Sequence, residues 1–193
     1  TNGSLPSSNN GNTYNGGIPI NTTTIIRVFA YNSTDQSNIR THSYIFYEDV
    51  ANQANTKTGF PDTGFAFDGS ILNNNTYANQ LNDALLQIGT ISVAIDLNDL
   101  EDVYNGVFEK KASAEFIIPL TGKHKQEDCG IERFGGSSFN SHKRNFRLSF
   151  KSIYGAGKLS FPLFNDNVIN EFDQLALRAG HAGCINNEGN SLH

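Results

Sequence analysis

The decapeptide at positions 142–151, HKRNFRLSFK, alternates apolar and polar side chains almost without slippage. Phe146, Leu148 and Phe150 share one face; Lys143, Asn145, Arg147, Ser149 and Lys151 share the other. A period of two demands a β-strand with one face in a core, so the chain must build a sheet around this segment. The opposite face carries three cations spaced four residues apart, roughly 13 Å between neighbours at the rise of a strand. Such a comb is either solvated decoration or a contact for an extended anion, and the strand alone does not separate the two.

Charge along the rest of the chain bears on that choice. The net charge is −5, yet residues 110–158 hold 10 of the 14 Lys/Arg and only 4 of the 19 Asp/Glu. A basic segment inside an acidic chain suggests an anionic partner for that segment, or two opposed faces that neutralise each other. The overall acidity argues against nucleic acid as that partner. No apolar run approaches the roughly 20 residues of a membrane span.

Composition favours turns and short strands over long helices, with 25 Asn and 18 Gly in 193 residues. Residues 1–17 read as a flexible Asn/Gly/Ser leader, and 18–50 as a β-module whose strands 22–32 and 41–50 form a hairpin. Residues 51–75 form a linker loop pinned by Phe60, Phe65 and Phe67, and 76–193 form the main domain. Within it, Tyr77, Leu81, Ala84, Leu85 and Ile88 predict a helix over 76–89 that Gly89 ends. Strands are expected at 90–97 and 113–120, with an acidic turn at 98–106 and a polar turn at 121–130. A second hairpin joins 129–136 to the basic strand, and 169–180 is strand-like or a short helix. The fold class is therefore β-rich α+β.

Few motifs point to chemistry. Gly130, Gly135 and Gly136 have the glycine spacing of a Walker A loop, but Gly136 stands where its lysine belongs and no helix is expected to follow. What remains is a Gly135-Gly136-Ser137 turn, either a plain β-turn or a nest of backbone N–H groups for an anion. Asp96, Asn98, Asp99, Glu101 and Asp102 lack the spacing of a calcium loop and read as a solvated turn. The five histidines show no metal or triad spacing, so no metal site is expected. Cys129 and Cys184 could pair in an oxidising compartment; two separate core thiols are the alternative.

The order of segments carries a further signal. TYANQLNDALLQIGTISVAIDLNDL, ASAEFIIPL, CGIERFGGSSFNSHKRNFRLSFKSIYGAGKLSFPLF and FDQLALRAG together resemble the CotH family of spore-coat-type atypical protein kinases, over about residues 76–180. Residues 22–46 look like the last strands of a chitobiase C-terminal-like β-module. The resemblance implies a kinase N-lobe-like domain in an extracellular or cell-surface protein whose relatives transfer phosphate from ATP, with Mg, to Ser in protein partners. It carries over Gly135, Gly136 and Ser137 as the glycine turn, and Lys143 and Arg147 as phosphate contacts. Family catalytic carboxylates lie beyond the L-R-A-G segment, where this chain offers only Glu188, so the expectation is a chain inactive by itself. Residues 106–116 also lack the longer Trp-Glu-Arg-Pro insertion usual in relatives. Two functions follow: the N-terminal part of such a kinase, or a non-catalytic structural, adhesion or self-assembly module on the same scaffold.

Overall fold

A computed structural model describes residues 3–57, 64–136, 144–164 and 168–179. Strands outweigh helices in a mixed α+β arrangement without a barrel. Two compact units interleave along the chain, one from Thr1–Ala54, Ala66–Asp96 and Ser113–Gln126, the other from Asn55–Phe65, Leu97–Ala112 and Glu127–His193.

In the first unit, β1 (Thr24–Val28) and β2 (Arg40–Tyr44) form the expected antiparallel hairpin, from Thr24 opposite Tyr44 to Val28 opposite Arg40. In the connection, the Asn32 side chain accepts from the Thr34 and Asp35 N–H groups. This is an Asx turn, the local chemistry that makes asparagine common in such links. The second strand ends sooner than its composition suggests: Tyr47–Ala51 is a short helix, α1, whose last residue, Ala51, is buried. Further on, α2 (Gly69–Leu72) is capped by Asp68, and α3 (Asn75–Gln87) by Asn74, whose side chain accepts from Thr76 N–H. The Ser70 N–H and Ser70 hydroxyl hold the Asp68 carboxyl below the usual carboxylate range. Helix α3 sits where its periodicity predicts, but its inward face is Ala78, Leu81, Asn82 and Leu85, while Tyr77 and Ile88 are exposed. Phe65 and Phe67 in the preceding segment are half-buried; Phe60 falls outside the described residues.

A five-stranded sheet runs in the order β3-β4-β5-β6-β9. Its first members are β3 (Thr90–Ala94), β4 (Lys110–Ile118) and β5 (Lys123–Arg133). Residues Ala112 to Phe116 of β4 are buried without a break, which covers the strand on both faces and gives it a central place. The turn into β5 is short: a 3-10 segment at Pro119–Thr121 and then Gly122 at φ 67, a left-handed conformation glycine adopts without steric cost. Most of the polar stretch at 121–130 is therefore strand, not turn. Its composition hides this because Gln126 faces a polar neighbour, its Nε2 donating to Ser113 Oγ at 3.0 Å.

The second unit contains α4 (Leu97–Asn105), where an acidic turn was expected. Leu100, Val103 and Tyr104 are buried at helical spacing, and the acids lie on the other side. Arg133 Nη1 donates to the Tyr104 carbonyl at 2.8 Å, placing a cation at the helix C-terminus. The second hairpin is present: β5 pairs with β6 (Phe146–Ser149), Gly130 opposite Ser149 and Arg133 opposite Phe146. β6 in turn pairs with β9 (Gln174–Leu177), which follows the small β7–β8 ladder of Leu159–Ser160 and Glu171–Phe172. Cys129, Ile131, Leu148, Phe150, Leu159 and Phe161 supply the core. Among the described residues no helix is long and apolar enough to cross a membrane.

Candidate functional site

The basic strand has its apolar face in the core, with Leu148 and Phe150 buried, but its polar face is not a row of solvated cations. Asn145 is buried and accepts from Ala179 N–H at 2.7 Å, and Ser149 is wholly buried. Arg147 lies opposite Glu132 in the ladder and holds its Oε1 through Nε at 2.9 Å and Nη2 at 2.6 Å. The guanidinium also rests 5.2 Å from the Phe134 ring centroid. Four residues on, past the end of β6, Lys151 Nζ grips both oxygens of Glu109, at 2.7 and 2.9 Å.

Glu109 is the centre of a compact polar cluster. Tyr154 Oη donates to its Oε1 at 2.8 Å, and the cluster leaves so little room that a Cβ on Gly130 would lie 2.5 Å from the Glu109 carboxyl carbon. Burial raises the Glu109 pKa, but the hydrogen bonds from Lys151 and Tyr154 and the charge of Lys151 outweigh it and bring the group below the usual carboxylate range. Burial and the same hydrogen bond push the Tyr154 hydroxyl up to about 12. Both partners are thus fixed in the charge states they have at neutral pH.

The residues expected to contact phosphate divide. Gly135 and Gly136 follow β5 as an open turn: Gly135 has φ 124, and nothing lies within 4 Å of where a Gly136 Cβ would stand. Arg147 is committed to Glu132, as described. Ser137 and Lys143 lie outside the described residues, as does Cys184; Cys129 is fully buried in β5. The acidic group at 96–102 is no cation loop, because Asp99 and Asp102 both bind Lys110 Nζ, at 2.9 and 2.8 Å.

A different constellation, in the first unit, links residues that no sequence spacing connects. Glu115 on β4 is 1% exposed; its Oε2 accepts from Ser43 N–H at 2.6 Å and its Oε1 lies 3.0 Å from His42 Nδ1. The His124 ring stands edge-on to His42, centroids 5.6 Å apart, and Tyr44 packs against the other ring at 4.8 Å. One ligand atom from each of His42, Glu115 and His124 lies within 4.8 Å of the others. The sequence held no joint signal: His42 falls on an expected strand and His124 in an expected turn, and the packing of β2 on Glu115 of β4, not spacing, brings them to one carboxylate.

Compared with known proteins, the chain is similar over residues 1–44 to the family described as Fn3 associated. No curated protein and no solved structure matches it.

Proposed function

We propose that this chain is an extracellular or cell-surface module of CotH type in which a kinase N-lobe-like sheet serves packing and assembly with protein partners, not phosphoryl transfer. The motif series over residues 76–180 supports the family assignment, and the Fn3-associated likeness of residues 1–44 is in line with a chain put together from modules. The observation that carries the non-catalytic reading is that Arg147 and Lys151, the cations of the comb among the described residues, are held by Glu132 and Glu109. Arg147 is held by Glu132, so binding a phosphate there would break two charged hydrogen bonds and leave a half-buried carboxylate beside the anion.

One observation favours the kinase-derived alternative: the open Gly135-Gly136 turn presents backbone to solvent, the form that a contact to ATP with Mg requires. Calorimetric titration with Mg-ATP separates the readings. The expected result is no saturable heat for the wild-type chain, and none for the Lys143→Ala, Arg147→Ala double variant. Saturable binding that the double variant loses would establish a nucleotide site and overturn the assembly reading.

A further inference from the structure

We propose that His42, Glu115 and His124 bind a divalent transition-metal ion of the zinc class. The donor set is two imidazoles and one carboxylate, which suits zinc and its neighbours and not calcium or magnesium, whose sites are built from oxygen. The spacing is close to what such an ion needs. Tetrahedral bonds of about 2.0–2.1 Å hold ligand atoms roughly 3.3 Å apart, and His42 Nδ1 already stands 3.0 Å from Glu115 Oε1. The three ligand atoms lie within 4.8 Å of one another, and the exposed His124 ring is the one with room to close in.

Burial and orientation point the same way. Glu115 is 1% exposed, so its carboxylate was placed in the interior at a cost that needs a reason. One histidine with the Ser43 N–H would satisfy it; a second imidazole with a ring nitrogen within 4.8 Å of the same carboxylate and of His42 is surplus to an ion pair and fits a shared cation. The Ser43 N–H fixes Oε2 and leaves Oε1 to ligate, the outer-shell support that metal carboxylates use. The His42 side chain is 48% exposed, which leaves water a route to the remaining coordination position. The ligands come from β2, β4 and β5, so the ion would clip the β1–β2 hairpin to the edge-to-centre strands of the larger sheet within the first unit. Binding then stabilises the fold by mass action, because the unfolded chain holds no such site.

The test is titration of the whole chain with Zn²⁺ by calorimetry, with Co²⁺ absorption as a reporter of tetrahedral geometry and the melting temperature as a second readout. We expect one saturable site, visible Co²⁺ bands, and a rise in melting temperature with Zn²⁺. His124→Ala is at an exposed position and should fold; it should weaken Zn²⁺ by more than the roughly tenfold that loss of an outer-shell partner costs and remove the thermal shift. Glu115→Gln should do the same while keeping the side-chain shape. No saturable binding by the wild type, or binding of equal strength in the His42→Ala, His124→Ala double variant, would overturn the proposal.

Discussion

Glu109 and Glu115 are both carboxylates withdrawn from water, 15% and 2% exposed at the side chain, yet their surroundings differ in kind. Glu109, in the second unit, receives an ammonium and a phenol, the latter with its hydroxyl pushed up to about 12 by burial and the carboxylate. Glu115, in the first, faces a backbone N–H and two imidazoles, groups that can exchange a proton for a metal ion. The first arrangement is closed and serves stability; the second is open to exchange. The charge pattern in the sequence draws attention to the second unit, whereas the ligand proposed above belongs to the first.

The sharpest way to break the closed cluster is Gly130→Ala. Its Cβ would meet Glu109 at 2.5 Å and the Tyr154 ring at 2.7 Å, so the cluster must open. We expect a loss of about 1–3 kcal/mol in urea unfolding, with Zn²⁺ affinity unchanged because the first unit is untouched. Glu109→Gln should cost about 1.5–3 kcal/mol, the usual loss for hydrogen bonds to a charged group. The same variant changes the acid limb of stability. With its folded pKa depressed, Glu109 adds stability above its ordinary value of 4.5 and loses it as pH falls through the lower folded value. Urea midpoints between pH 3 and 6 should therefore fall less steeply in Glu109→Gln than in the wild type. Arg147→Ala, at a pair one-third exposed, should cost no more than about 1 kcal/mol; a much larger loss would mean that the basic strand is as closed as the Glu109 cluster.

Legibility followed the chemistry of each segment. The hairpin at 24–44, helix α3 and the β5–β6 hairpin were readable because β-branched and aromatic runs or apolar periodicity marked them, with Leu81 and Leu85 on one face of α3 and Leu148 between Phe146 and Phe150. Helix α4 was not, although Leu100, Val103 and Tyr104 stand at helical spacing, because its acids, two of them paired with Lys110, dominate the segment; the start of β5 was hidden because its inward neighbour is polar, Gln126 meeting Ser113. Periodicity of hydrophobic residues is silent where two polar surfaces face each other. The same reason hid the histidine pair. His42 and His124 are 82 positions apart, and only the order β4-β5 in the sheet together with the β2 contact to Glu115 makes them neighbours. The cation comb was visible, but Glu132 and Glu109, the counter-charges of Arg147 and Lys151, sit on other segments, so those two pairs were not.

The most direct measurement is a paired titration of one preparation, first with Mg-ATP and then with Zn²⁺, in the wild type and in His124→Ala. An account in which the basic strand is internally satisfied and Glu115 is the ligand-competent carboxylate predicts no saturable heat with Mg-ATP and a single zinc site that His124→Ala disables. Saturable Mg-ATP binding together with zinc affinity indifferent to His124 would contradict it.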